Sequence, residues 1–188
     1  EGTKEIKEKS TSKEKVKKSP SASSYFELGI LYKETGNHEE AIDALKKVVE
    51  LNPKHDAALY ELGIIHEIKK DLDNAINYYT ASLKIKNGAE AFFCLGSCYL
   101  KKGGLKEAFR NLTKSLLLNP NNYKVYNNLG VVHEKNHNHK EAIKILEIGT
   151  KINPKNAVGF YNLGINYDKI GDKVKALESF EKAISLGH

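Results

Sequence analysis

Residues 160–180 read FYNLGINYDKIGDKVKALESF, with a Leu-Gly pair at Leu163-Gly164 and an alanine further on at Ala176. The same pair stands at Leu28-Gly29, Leu62-Gly63, Leu95-Gly96 and Leu129-Gly130, and each is followed by its own alanine, at Ala41, Ala75, Ala108 and Ala142. Successive pairs are 34, 33, 34 and 34 residues apart. A fixed period of a few tens of residues is the mark of a solenoid, in which each unit buries its apolar face only against its neighbours.

Within each period the apolar residues recur at helical spacing, as in Tyr25, Leu28, Gly29 and Tyr32, then Ala41, Leu45 and Val48. Polar and turn-forming residues separate the two runs, so each period reads as two short antiparallel helices. Asn52-Pro53, Asn119-Pro120 and Asn153-Pro154 close three of the periods, because proline cannot continue a helix interior. Gly36, Gly103 and Gly171 fall in the turns between paired helices, where a positive φ is often needed. The expected helices span 22–35, 38–51, 56–69, 72–85, 89–102, 105–118, 123–136, 139–152, 157–170 and 173–186.

The pattern aromatic-x-x-Leu-Gly-x-x-Tyr, then Ala, a large apolar residue and Pro, resembles the tetratricopeptide repeat. Its best instances are Tyr25-x-x-Leu28-Gly29-x-x-Tyr32 and Phe160-x-x-Leu163-Gly164-x-x-Tyr167, the latter completed by Ala176 and Phe180. The resemblance implies an all-α, right-handed superhelical solenoid of antiparallel helix pairs, with repeats at 22–55, 56–88, 89–122, 123–156 and 157–188 in one domain from residue 21. Departures are local. Leu59 replaces the first aromatic of repeat two, His66 and His133 replace the tyrosine, Lys70 and His137 replace the turn glycine, and Asn87-Gly88 replaces the closing proline. Repeat two is one residue short at that junction, where an altered angle and extra mobility are expected.

Residues 1–20, EGTKEIKEKSTSKEKVKKSP, contain only Ile6 and Val16 as large apolar side chains and read as a basic flexible arm or linker. The net charge of +6 does not point to nucleic acid, because 29 lysines stand against one arginine, Arg110, and arginine is the residue that grips phosphates and guanine edges. No apolar run reaches the ~18 to 20 residues of a membrane span, and no signal peptide is present, so an intracellular, cytoplasmic location is expected. A chain starting at Glu1 with no Met reads as a piece of something longer. Cys94 and Cys98, one helical turn apart, read as buried reduced thiols.

Candidate binding residues come from a second stripe on the first helix of each pair. Counting from Ala22, Asp56, Ala89, Tyr123 and Ala157, the core takes the fourth, seventh, eighth and eleventh positions, and the second, fifth, ninth and twelfth form an adjacent stripe. In the family that this chain resembles, that stripe lines the concave groove that holds extended or helical peptides. Its central members here are Phe26 and Ile30, Tyr60 and Ile64, Phe93 and Ser97, Asn127 and Val131, Tyr161 and Ile165. At the sixth position Asn128 and Asn162 are candidate clamps for a peptide backbone, and Glu27 and Glu61 give the N-terminal half an acidic cast that suits a basic ligand. No window matches the lysine, asparagine and arginine pattern by which chaperone-binding members hold a C-terminal carboxylate.

No phosphate loop, nucleophile elbow or glycine-rich dinucleotide turn is present, so no cofactor and no enzymatic activity are expected. His133, His137 and His139 fall at a core position, a turn and a helix start, a spacing that does not converge on a metal. The expected function is a non-enzymatic adaptor or scaffold that binds a protein or peptide segment in the groove, without nucleic acid. Two alternatives stand beside it. One is the substrate-recruiting arm of a larger enzyme, such as an O-linked N-acetylglucosamine transferase, whose asparagine ladder Asn128 and Asn162 resemble. The other is a scaffold that self-associates through the final helix, where Leu177, Phe180 and Ile184 have no following helix to cover them.

Overall fold

A computed structural model describes the backbone of residues 2–188 and the side chains of residues 10–188. Among the described residues every regular element is a helix, eleven in all: α1 (Gly2–Lys18), α2 (Ala22–Glu34), α3 (His38–Leu51), α4 (Asp56–Ile68), α5 (Leu72–Ile85), α6 (Ala89–Lys101), α7 (Leu105–Leu118), α8 (Tyr123–Lys135), α9 (His139–Ile152), α10 (Ala157–Lys169) and α11 (Lys173–Ser185). From α2 onward each bound lies within one residue of the helix that the periodicity predicts. None is long and apolar enough to cross a membrane.

The chain divides into two compact units, residues 1–87 and 88–188, at the junction where repeat two is short and lacks its proline. The first unit holds α1 and two helix pairs. Its core joins Leu28, Tyr32, Leu45 and Val48 of the first pair to Leu62 and Ile65 of α4. The second unit holds three pairs, with Leu112 and Val125 in one buried cluster and Leu146, Leu163 and Tyr167 in another.

The glycine of each Leu-Gly pair is a notch for the partner helix. A Cβ built on Gly29, Gly63, Gly96, Gly130 or Gly164 would come within 2.5–2.8 Å of the side chain of Leu45, Tyr79, Leu112, Leu146 or Phe180, respectively. Packing at that distance tolerates no added carbon, so the two helices close onto each other only where the side chain is absent. In repeats two and three a serine also ties the pair together. Ser82 Oγ donates to the Asp56 carbonyl at 3.0 Å and Ser115 Oγ to the Ala89 carbonyl at 2.8 Å, each at the start of the first helix.

The turns inside the pairs have positive φ throughout, +75° to +84° at Gly36, Gly103 and Gly171 and 62° and 60° at Lys70 and His137. An L side chain in that left-handed region is held there by the fold at a cost of about 1–2 kcal/mol. Lys70→Gly in the first unit and His137→Gly in the second are therefore each expected to raise the urea midpoint, a net gain of about 0.5–1 kcal/mol once glycine's greater unfolded-state entropy is set against the relief. An unchanged or lower midpoint would show that neither turn is strained.

Residues 2–18, where composition favours a solvated linker, form α1 against α2. Among the side chains described on α1, three make this docking. Val16 packs on the first core cluster, while Lys13 lies 5.6 Å from the centre of the Tyr32 ring and Lys15 bonds Glu27 at 2.5 Å.

Candidate functional site

In the first unit, α2 and α4 present Phe26, Ile30, Tyr60 and Ile64, all half-buried. Phe26 is braced by His55, ring centroids 4.9 Å apart, and His55 is fixed in turn because its Nδ1 accepts the Ala58 N–H as the cap of α4. Tyr60 lies against the fully buried ring of Tyr79, centroids 5.7 Å apart, and the Tyr79 hydroxyl donates to Glu67 at 3.0 Å. A concavity on this face is lined by Phe26, Glu27, Ile30, Leu31 and Glu34, with Ser12 of α1 at its rim.

The acidic cast expected from Glu27 and Glu61 is largely cancelled. Glu27 pairs with Lys15, and Glu61 with Lys33 at 2.6 Å, where both side chains are mostly covered, at 17% and 21% exposure. Neither lysine was legible as a partner, because Lys33 reaches Glu61 across 28 residues, from the twelfth position of one repeat to the sixth of the next.

In the second unit the stripe lies on α6, α8 and α10. Phe93 is half-buried against the cluster around Leu112, Val131 and Ile165 are half-buried, and Tyr161 is exposed. The polar members point to other tasks. Ser97 is buried; its Oγ donates to the Phe93 carbonyl and accepts from Asn128 Nδ2, both at 2.8 Å. That bond uses one of the two Asn128 amide hydrogens. Asn162, the other expected clamp, is buried at 8% exposure.

Asn127 is not a surface residue of the stripe. It is buried and exchanges two amide hydrogen bonds with Asn156, donating at 3.0 Å and accepting at 2.7 Å. Asn156 Oδ1 also takes the Gly159 N–H at 3.1 Å, so this residue caps α10 and joins it to α8. Of the two asparagines of the recruiting-arm ladder, Asn128 is half-buried and bonded to Ser97, and Asn162 is buried. Tyr161 stacks on His188, centroids 4.2 Å apart and planes 15° apart, with Phe180 on another side at 5.7 Å.

Of the three histidines, His137 and His139 meet edge to face, ring centroids 6.2 Å apart, and each has a further setting of its own. His133 meets the Phe109 ring edge-on at 5.7 Å, His137 occupies the left-handed turn, and His139 Nδ1 bonds Oδ1 of the fully buried Asn166 at 3.0 Å. Among the described residues no group of three or more His, Cys, Asp or Glu is placed to hold a metal ion. Cys94 is half-buried and Cys98 buried on α6. Burial and a 2.7 Å hydrogen bond to Glu147 push the Tyr167 hydroxyl well above the usual phenol range, which keeps it a donor.

Tetratricopeptide-repeat models match residues 26–90, 111–144 and 157–186, together more than two thirds of the chain. The chain belongs to the tetratricopeptide-repeat family. Among curated relatives it is similar to BBSome complex member BBS4 of Bos taurus, 35% identical over 98 residues that make up 52% of this chain and 19% of that protein. It therefore spans only about a fifth of that relative's length. Among solved structures it is similar to YrrB, a TPR protein with an unusual peptide-binding site, at 24% identity and a TM-score of 0.80 over 94% of this chain and 92% of that one. MamA matches at 25% identity and a TM-score of 0.81, over 88% of this chain and 91% of that one. These likenesses place the fold among the helix-pair solenoids, and protein–protein interaction is the general role of the repeat.

Proposed function

We propose that the chain is a non-enzymatic adaptor whose partner is a peptide or protein segment held on the second stripe of its first helices. One observation carries this reading. Phe26, Ile30, Tyr60, Ile64, Phe93 and Tyr161 sit at positions that the core does not require with part of their surface open, and the four aromatics are each braced by a neighbour. Aromatic side chains held in place by packing lose little entropy on binding, which makes them the usual anchors of an interface. The ion pair Lys33–Glu61 and the Asn128 amide supply polar points beside them. The N-terminal half has lost its acidic excess to Lys15 and Lys33, so an apolar segment suits it better than a basic one.

The test compares the wild-type chain with Tyr60→Ala/Phe93→Ala/Tyr161→Ala as baits, after circular dichroism shows that both are folded. A partner recovered by the wild type and lost from the variant, with affinity down about 100-fold or more as befits hot-spot aromatics, is the expected result. Equal recovery by both overturns the reading.

A further inference from the structure

The net charge of the chain is unevenly placed. Residues 1–87 hold 15 Lys and 15 Asp or Glu, whereas residues 88–188 hold 15 Lys or Arg against nine Asp or Glu, so the second unit carries the whole +6. On α7 this excess meets apolar surface. The helix buries Ala108, Asn111, Leu112 and Ser115, and it packs on α6 and α8. On its opposite side, at spacings of four, three and four residues, stand Lys106, Arg110, Thr113 and Leu117. Leu117 is 79% exposed, the most exposed of the large apolar side chains described, and Leu118 beside it is exposed as well. Among the described residues no ion pair engages Lys106 or Arg110.

The repeat period shows that this line is particular to repeat three. The counterparts of Lys106 and Arg110 are Glu39 and Asp43 on α3, Asp73 and Asn77 on α5, Lys140 and Lys144 on α9, and Val174 and Glu178 on α11. Those of Leu117 are Glu50, Lys84, Lys151 and Ser185, so an apolar residue stands there in repeat three alone. Where two cations recur, on α9, Lys144 is already paired with Glu141 at 3.0 Å. Phe109 flanks the line on α7 and is 44% exposed, whereas its counterparts Ile42 and Ile143 are 5% and 7% exposed. Its ring meets His133 edge-on and leaves part of its surface open beside the cations.

A cation pair of this kind asks for carboxylates at the same spacing. Lys106 and Arg110 are one helical turn apart, as are residues i and i+4 of a partner helix laid alongside α7, and Leu117 stands about two turns beyond Arg110. Exposed Glu107 borders the line and Glu141 stands on α9, so the uncompensated charge is a narrow strip. A strip suits a peptide helix, whereas an anionic bilayer brings its surface charge against those glutamates too. Like charge between partners is what such an arrangement selects against.

We infer that α7 is a second binding surface, apart from the stripe on the first helices, and that its ligand is an acidic peptide helix of a partner protein. Two carboxylates one turn apart sit over Lys106 and Arg110, and an apolar side chain packs on Leu117.

Fluorescence anisotropy tests this with the full chain and a labelled synthetic peptide helix that carries two glutamates one turn apart and a leucine two turns further on. The wild type is expected to bind it in the micromolar range, and more weakly as added salt screens the charges. Lys106→Glu/Arg110→Glu, at exposed positions, is expected to lose about tenfold or more in affinity through two lost attractions and two new repulsions. Leu117→Ser is expected to lose about tenfold through its apolar contact, with circular dichroism confirming that both variants are folded. Tyr60→Ala/Phe93→Ala/Tyr161→Ala is expected to bind the peptide as the wild type does, which separates this surface from the stripe. No binding by the wild type, or equal binding of a peptide with glutamine in place of glutamate, would overturn the inference. Binding lost from the stripe variant and kept by the α7 variants would do the same by moving the peptide to the stripe. Co-sedimentation with phosphatidylserine vesicles that is lost in Lys106→Glu/Arg110→Glu, without peptide binding, would replace the peptide with a membrane surface.

Discussion

Truncating Leu146 to alanine is expected to destabilise the second unit by about 2–5 kcal/mol, the range for emptying a fully buried leucine site. Leu146 is 0% exposed, and its Cγ and Cδ2 stand 2.5 Å from where a Cβ on Gly130 would lie. That geometry makes a sharper expectation available. Gly130→Ala alone gains about 1 kcal/mol of helix propensity but overpacks against Leu146 at a cost of about 1–3 kcal/mol, so it is expected to be neutral to destabilising. Placed together with Leu146→Ala, the new methyl enters the vacated space. The double variant is then expected to be more stable than Leu146→Ala alone, with a coupling of about 1 kcal/mol or more between the two sites. Urea unfolding of the four proteins gives the cycle, and additivity within about 0.5 kcal/mol would show that the notch is not what sets the approach of α8 and α9.

Replacing Asn127 with leucine is expected to cost about 1–3 kcal/mol, because it leaves the Asn156 amide nitrogen buried with no acceptor. Asn156 is 5% exposed and its Oδ1 stays engaged by the Gly159 N–H, so the side chain cannot turn outward without uncapping α10. Adding Asn156→Ser is expected to recover part of the loss, since serine still caps the helix and carries no orphaned amide. Should Asn127→Leu leave stability unchanged and abolish partner capture, Asn127 would regain the ligand-contact role that its place in the repeat suggests.

The helix bounds were legible from the apolar spacing of every repeat, sharpened by a turn glycine in repeats one, three and five and a closing proline in repeats one, three and four. At Lys70 and His137 the turn signal is missing from the sequence, yet both residues adopt the glycine-like φ, since the two helices that flank them fix the turn. The stripe itself was also legible as a set of positions. What each polar member does there was not. Asn127 and Asn128 are adjacent in sequence, yet one faces Asn156 inside the protein and the other reaches Ser97 on the preceding helix pair. Periodicity gives the face of a helix, but the partner of an amide depends on which polar atom a neighbouring repeat places within reach. For α1 the misleading signal was composition. A segment nearly devoid of apolar residues gives no sign that Val16, Lys13 and Lys15 will find the aromatic and acidic surface of α2.

In all five repeats the residue that fills the glycine notch lies sixteen places after the glycine, within the same helix pair. Leucine fills three of the notches, tyrosine one and phenylalanine one, so each pair carries its own lock and its own key. A helix pair of this kind can be duplicated, deleted or transplanted as a cassette without leaving a mismatched notch behind. The Asn127–Asn156 exchange works the other way, since its halves belong to different helix pairs. Any recombination that separates α8 from the cap of α10 strands a buried amide, so repeats four and five form a cassette of two helix pairs that is moved at least cost as one piece.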